Sequence, residues 1–233
     1  MFKISASQEE IASLPLGSFG GEINVITSEG REFSAAISYL SKQKVLGFDT
    51  ETRPVFEPHK PHKHVALLQI SGPDKAYLFR VFKLGMPREL CAILSNPDIL
   101  KVGAACHDDL RGLQHYAKFQ SRSVVDLQKI AWEWGIRDKS VKKLAAIILG
   151  VRISKAQQLS NWEADTLAAP QQLYAATDAW VCLEMYNRLL KEPRRPLTRE
   201  QMFPPQPQPR PQEQPKEQEQ QPKAAESENK NDQ

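Results

Sequence analysis

Cysteine is scarce in this 233-residue chain, and long apolar runs are missing. The three cysteines, Cys91, Cys106 and Cys182, are scattered without any CxxC spacing. This excludes a disulfide framework and a zinc ribbon, and it favours reduced thiols inside a cell. No apolar stretch approaches the roughly 18–20 residues of a membrane span, and the N-terminus lacks the apolar stretch of a signal peptide. We therefore expect a soluble, cytoplasmic protein with no membrane contact.

The C-terminal part of the chain has almost no residues that could build a core. Between Pro196 and Gln233 the one Leu is Leu197, and there is no Ile, Trp or Tyr. Nine of the 17 prolines lie within Pro193–Pro222, among many Gln and Glu. Such a segment cannot bury enough apolar surface to offset the entropy of ordering it. We predict a lead-in at 1–21, one folded domain at 22–192 and a disordered tail at 193–233.

The charges are divided unevenly between these regions. The chain has 31 Lys and Arg against 28 Asp and Glu, of which residues 196–233 hold five and seven. The folded part therefore carries the whole positive excess. This balance suits a nucleic-acid or phosphate partner without requiring one.

Apolar periodicity predicts an α/β fold. Apolar and β-branched runs predict strands at Glu22–Thr27, Val45–Thr50, Val65–Ser71, Lys75–Arg80, Leu100–Ala104 and Val124–Asp126. A spacing of three to four predicts helices at Gln8–Ala12, Glu32–Lys42, Pro87–Leu94, Asp108–Ala117, Leu127–Trp134, Val141–Leu149 and Pro170–Lys191. The core face of the last helix is predicted to run through Leu173, Thr177, Trp180, Leu183 and Leu190. This order indicates a mixed sheet flanked by helices.

Two acids lie at the end of an apolar strand, in Gly47–Thr52. Because strand side chains alternate, Asp49 and Glu51 point the same way, roughly 6–7 Å apart. If they are buried, they need a cation or protons to be tolerated. The alternative is that the strand has ended and both acids are solvated.

Two further groups of polar residues have similar alternatives. Tyr174 and Asp178 share one face of the last helix, where Asp178 could be an ordinary surface residue. Asp108 and Asp109 follow a strand and begin a helix, where an acid could simply cap the backbone. Capping could account for Asp108 while Asp109 does something else.

Together these motifs resemble one family. Phe-Asp-Thr-Glu at 48–51, Lys-Val-Gly at 101–103 with Asp-Asp-Leu at 108–110, and Tyr-Ala-Ala-Thr-Asp at 174–178 stand in the order of the DEDD superfamily of 3′–5′ exonucleases. The tyrosine marks the YxxxD subclass, and the chain is similar to the ribonuclease D and Werner-syndrome exonuclease domains over roughly 22–190. The resemblance implies a ribonuclease H-like fold in which the acids meet at one point.

The resemblance also implies an activity and its residues. It implies an exonuclease that digests DNA or RNA from the 3′ end and releases nucleoside 5′-monophosphates. Hard carboxylate oxygens suit Mg²⁺ or Mn²⁺, and two such ions can hold the attacking and leaving oxygens of a phosphodiester. By this resemblance Asp49, Glu51 and Asp178 ligate metal, Asp109 ligates the second ion directly or through water, and Tyr174 orients the attacking water.

Other interpretations stay open. A pseudo-nuclease would keep the fold and bind nucleic acid without turnover, and an adaptor would act on a protein partner through the Pro-rich tail. The loop with His59, His62 and His64 could bind zinc, contact substrate phosphates or be merely solvated. By the resemblance Lys155 and Gln157 lie near the mouth of the active site.

Overall fold

Six strands of the described residues form one mixed sheet. The computed structural model describes residues 1–52, 54 and 64–203. The strands are β1 Glu22–Ile26, β2 Val45–Thr52, β3 Val65–Ser71, β4 Lys75–Phe79, β5 Leu100–Gly103 and β6 Val124–Asp126. Their order across the sheet is β1-β4-β3-β2-β5-β6, in which β3 runs antiparallel to both neighbours and the other pairs are parallel. The predicted α/β fold with a mixed sheet is confirmed.

The helices lie between and after these strands. They are α1 Gln8–Ala12, α2 Arg31–Leu40, α3 Val81–Leu84, α4 Arg88–Ser95, α5 Cys106–Leu113, α6 Leu127–Ile130, α7 Val141–Leu149, α8 Ala169–Leu190 and α9 Arg199–Met202, with a 3₁₀ turn at Ala131–Trp134. All six predicted strands are present, several with the predicted ends. Six of the seven predicted helices are present as α-helices, whereas the predicted helix Leu127–Trp134 is α6 followed by the 3₁₀ turn. The structure adds α3 and α9, and α5 begins two residues and ends four residues before the predicted Asp108–Ala117.

Strand β2 has two different faces. Leu46 and Phe48 are fully buried and pack with α2 and α4. Gly47 lies against α8, and side-chain alternation puts Asp49 and Glu51 on that same side. Strand β5 pairs with β2 only as far as Gly47 in the described residues, whereas β3 continues to Thr52. The acidic end of β2 therefore lies beyond the last strand pair on one side, which leaves space for a cleft.

Helix α8 lies so close to β2 because both surfaces carry small residues. Ala175, Ala176 and Ala179 are fully buried in the helix, whereas Leu173 and Leu190 are 40% and 56% exposed. The predicted core face of this helix is therefore wrong at both leucines. Short side chains allow the two backbones to approach, and this approach turns Asp178 towards the sheet instead of the solvent.

Both ends of the described chain pack onto the domain. In the lead-in, Phe19 donates its backbone N–H to Thr177 Oγ1 at 3.0 Å, and Ser5 donates to Asp138 at 2.8 Å. At the other end, Leu197 is buried and donates its backbone N–H to the Trp132 carbonyl at 3.0 Å. Met1–Phe203 thus form one compact unit, which includes residues 193–203 of the predicted tail. The rest of that tail, residues 204–233, lies outside the described residues.

None of the helices in the described ranges has the length and apolar character that a bilayer crossing requires.

The contact between Gly47 and α8 can be tested by adding one methyl group. A Cβ at Gly47 would lie 2.0 Å from the Ala179 carbonyl oxygen, so α8 must move. We expect Gly47→Ala to lower the free energy of unfolding by about 3 kcal/mol, the upper range for overpacking. Urea unfolding followed by circular dichroism measures this. Gly20→Ala is the control, because nothing lies within 4 Å of its Cβ position, and an equal loss in both variants would contradict the close approach.

Candidate active site

Three carboxylates meet where β2 passes under α8. One oxygen from each of Asp49, Glu51 and Asp178 lies within 4.8 Å of the others. Each of these side chains is half-buried. The structure thus brings together three of the predicted site residues, two from alternate positions of one strand and one from a helix distant in sequence. In the described residues this is the group of acids that is close enough to hold one metal ion.

Burial raises the pKa of every acid in this group, and repulsion adds to the shifts of Asp49 and Glu51. Burial raises the pKa of Glu51 to about 9, with Asp178 and Asp109 adding to the shift. Burial also raises the pKa of Asp178 to about 7, against a hydrogen bond from Tyr174 that lowers it. Burial, followed by the charges of Asp178, Asp109 and Glu51, raises the pKa of Asp49 well above its usual range. Such a group is stabilised either by protons or by a cation.

Asp109 lies near this cluster, but it is not among the acids close enough to share one ion. It lies in the first turn of α5, where its Oδ1 accepts a hydrogen bond from Thr50 Oγ1 at 2.5 Å. Burial raises the pKa of Asp109 to about 6 even though the Thr50 hydroxyl lowers it. The neighbouring Asp108 is exposed. Of the two adjacent acids, Asp109 is therefore the one held beside the cluster, through a threonine that sequence reasoning left without a role.

Tyr174 lies between the acids and an aromatic wall. Its hydroxyl is hydrogen-bonded to Asp178, and its ring packs on Trp162 with the ring centroids 6.0 Å apart. Burial, followed by the charges of Asp178 and Glu51, raises the pKa of Tyr174 above its ordinary value. The phenol therefore stays protonated at neutral pH and serves as a hydrogen-bonding group rather than as a base.

A buried arginine holds the loop that carries Trp162. Arg80 is 1% exposed, and its guanidinium donates to the carbonyl oxygens of Trp162, Ala164 and Asp165. It also stacks over the Phe82 ring at 4.8 Å. Sequence reasoning missed Arg80, because an arginine that ends an apolar strand has the pattern of a strand reaching solvent. The structure shows that it braces the loop behind Tyr174.

The wall facing the acids carries positive charge. Lys142, in the first turn of α7, and Lys155, in the loop before α8, line the same cleft of about 350 Å³ as Asp49, Glu51 and Asp178. An anionic chain entering this cleft would pass between lysines and carboxylates. The predicted position of Lys155 near the mouth of the site agrees with this geometry.

The histidine loop lies mostly outside the described residues. This holds for His59 and His62, so the zinc, phosphate and solvated-loop interpretations stay predictions. His64 is described, and its ring lies 5.2 Å from that of His115. Gln157 lines a smaller pocket beside the cleft. Trp162 is fully buried.

The chain matches a family model described as 3′–5′ exonuclease over residues 24–193. It is 34% identical over 153 residues to Exonuclease 3′-5′ domain-containing protein 2 of Drosophila melanogaster, covering 64% of this chain and 26% of that protein. It is 32% identical over 161 residues to the mouse bifunctional 3′-5′ exonuclease/ATP-dependent helicase WRN, covering 64% of this chain and 11% of that protein. The chain thus spans about a quarter or less of these relatives.

The structure is similar to that of Escherichia coli RNase D. The TM-score is 0.64 at 22% sequence identity, and the match covers 73% of this chain and 44% of that one. This likeness shows the fold, and it confirms the predicted ribonuclease H-like arrangement of the sheet and helices.

The raised pKa values predict how stability depends on pH without metal. A carboxyl whose pKa is higher in the folded than in the unfolded state stabilises the fold at low pH and loses that contribution as pH rises through the folded value. For Glu51 the window runs from 4.5 to about 9, and Asp178 adds to its lower part. We expect the melting temperature in EDTA to fall by about 5–10 °C between pH 5 and pH 9, a loss of about 2–3 kcal/mol.

Scanning calorimetry with two variants checks the source of this slope. Asp178→Asn should flatten the fall and melt above the wild type at pH 8, because it removes one repelling charge. Asp98→Asn, at an exposed acid outside the cluster, should keep the wild-type slope. A wild-type melting temperature that rises with pH would contradict the raised pKa values.

Proposed function

The chain belongs to the 3′–5′ exonuclease family, and from this premise we propose that it is a metal-dependent exonuclease that removes nucleoside 5′-monophosphates from the 3′ end of DNA or RNA. One observation carries the proposal: three acids from β2 and α8 converge within 4.8 Å. Carboxylates held so close against their repulsion raise the energy of the empty site. A fold keeps such an arrangement where a cation offsets it.

The donor set fits a hard divalent ion. All the converging ligand atoms are carboxylate oxygens, which suits Mg²⁺ or Mn²⁺ better than a soft metal. Asp49, Glu51 and Asp178 would hold one ion, and Asp109 would contribute to a second. Bound there, two divalent ions would stabilise the negative charge that develops on the attacking and leaving oxygens.

The chain's own residues then position the reactants. Lys142 and Lys155 line the same cleft as the acids and would pair with phosphates of the bound strand. The protonated Tyr174 hydroxyl would hydrogen-bond the attacking water and fix its direction. Water attacks the phosphorus of the last phosphodiester, and the bond from phosphorus to the 3′ oxygen of the preceding nucleotide breaks. The products are a nucleoside 5′-monophosphate and a strand shortened by one nucleotide.

We keep both DNA and RNA as candidate substrates, in keeping with the names of the relatives. One is named as an exonuclease joined to a helicase, and the E. coli protein with the same fold is described as an exoribonuclease. Matched DNA and RNA oligonucleotides, single-stranded and recessed, would assign the substrate. A cytoplasmic location and a protein partner for the tail stay predictions.

The test of the function is mononucleotide release by the purified full chain. We expect 5′-monophosphates from a 3′-tailed oligonucleotide with Mg²⁺ or Mn²⁺ and none in EDTA. Asp49→Asn and Asp178→Asn should each reduce activity by at least about 10³-fold, because each removes a ligand of the ion. Both variants should stay folded. Asp98→Asn should match the wild type. Binding without release under either ion would instead identify the pseudo-nuclease, and a partner lost only on deletion of residues 204–233 would support the adaptor.

The adjacent acids predict unequal losses. Asp109 is held beside the cluster by Thr50, whereas Asp108 is exposed. We expect Asp109→Asn to reduce kcat by about 10²-fold or more and Asp108→Asn to change it by less than about threefold, since a lost ligand outweighs a lost surface charge. Steady-state release at saturating Mn²⁺ measures both. Equal losses would show that the pair is assigned wrongly.

Tyr174 predicts a fall in rate without a change in metal requirement. Tyr174→Phe removes the hydroxyl and keeps the ring against Trp162, so kcat should fall by about 10²–10⁴-fold, as for positioning or acid–base groups. The Mn²⁺ concentration for half-maximal activity should stay constant, because the ligands are carboxylates. An unchanged kcat would reject the catalytic role. A large shift in the Mn²⁺ requirement would indicate that Tyr174 supports the site structurally.

A further inference from the structure

A second pocket adjoins the cleft on the other side of Tyr174. Its volume is about 180 Å³. It shares Ile153, Ser154 and Tyr174 with the cleft that holds the acids. The ring of Tyr174 is therefore a common wall, and its hydroxyl points to the acids. A molecule in this pocket would contact the tyrosine that the proposed reaction uses.

The lead-in segment builds one side of this pocket. Gly17 donates its backbone N–H to the Arg152 carbonyl at 2.9 Å, and Arg152 donates its own to the Pro15 carbonyl at 2.9 Å. A Cβ at Gly17 would lie 2.8 Å from Val151 Cγ2, so the segment can approach this closely because residue 17 has no side chain. The wall is thus fixed to the domain by backbone bonds.

The lining of this pocket differs from that of the cleft. Leu16 and Leu173 contribute apolar walls although they are 53% and 40% exposed, and Pro170 completes them. Its polar side chains, besides the Tyr174 hydroxyl, are Ser18, Ser154, Gln157 and Thr177. The cleft, by contrast, is lined by acids and lysines. Apolar side chains therefore make up more of the lining of the smaller space than of the cleft beside it.

Such a division matches the two parts of a nucleotide. Phosphates are stabilised by cations and lysines, and unpaired bases are stabilised by apolar and aromatic surfaces. We propose that this pocket receives one unpaired base of the strand being digested, while the phosphates of that strand lie in the cleft. The inference rests on the proposed exonuclease function. It names a base-binding site built by Leu16, Leu173 and the ring of Tyr174.

The two spaces are adjacent and share lining residues, which favours a base over a protein segment as the occupant. The loop 153–157 runs along both, with Ser154 lining both, Lys155 on the cleft and Ala156 and Gln157 on the pocket. A strand whose phosphate meets Lys155 therefore has the pocket within one nucleotide's reach. A base in the pocket would also pack against the Tyr174 ring and so help to hold its hydroxyl beside the acids.

The first test changes the pocket at exposed residues. Leu173→Ala removes a wall and Ala156→Phe fills the space, and neither side chain belongs to the buried core. We expect each to raise KM for a single-stranded oligonucleotide about tenfold, the weight of one base contact. Matched controls are Leu190→Ala, an exposed leucine on the same helix, and Ala35→Phe, an exposed alanine on α2. Both controls should keep the wild-type KM.

The second test identifies the base. Oligonucleotides with an abasic residue at each of the last few positions are digested by the wild type and by Leu173→Ala. At one position we expect the missing base to raise the wild-type KM about tenfold and the variant's KM less than about twofold, because the contact is already gone. Equal effects in both proteins at every position would overturn the pocket and leave the exonuclease function standing. A wild type that releases no mononucleotide from any substrate would overturn the function and this inference with it.

Discussion

The structure depends on three half-buried carboxylates held close together in spite of their repulsion. Asp49 and Glu51 share one side of β2, and Asp178 meets them from α8 within 4.8 Å. Burial, with repulsion added at Asp49 and Glu51, raises their pKa values, so the metal-free protein carries either protons or unfavourable charge at this site. The rest of the sheet offsets the cost of this repulsion, because every residue of β3, the strand beside β2, is buried. A rigid apolar strand on one side allows an acidic strand end on the other.

The distance between β2 and α8 controls this arrangement. Gly47 lies two residues before Asp49, and its lack of a Cβ lets the carbonyl of Ala179, the residue after Asp178, reach the strand. The position of the acids and the packing of the helix are therefore one feature. A larger residue at either point would separate strand and helix, and it would separate the carboxylates with them. This is why small residues, which contribute little burial themselves, occupy the central contact of the domain.

Most of the fold could be predicted from the sequence, because strands and helices alternate with clear apolar periods. β3, β6 and α7 have the predicted ends. The predicted core face of α8 is wrong at Leu173 and Leu190. Both leucines fit the helical period but are exposed, because alanines of α8 make the contact with the sheet instead. The acids that meet at the site could be predicted, because the motifs that contain them resemble those of the exonuclease family. The residues that hold the site in place, Thr50 and Arg80, could not be predicted. They act through contacts with Asp109 and with the 162–165 loop, and these partners come near only when the chain folds.

The tyrosine links these parts. Its hydroxyl is held by Asp178, one face of its ring packs on Trp162, and the ring also lines the apolar pocket. The loop behind Trp162 is in turn fixed by Arg80, whose guanidinium donates to the carbonyl oxygens of Trp162, Ala164 and Asp165. The group that would align water is thus positioned from one side by an acid and from the other by packing. The acid is itself a proposed metal ligand, so the same carboxylate would both hold the ion and orient the phenol hydroxyl. A base in the pocket would contact the same ring. Tyr174 would therefore interact with the substrate twice, through its hydroxyl at the reacting phosphate and through its ring at the base.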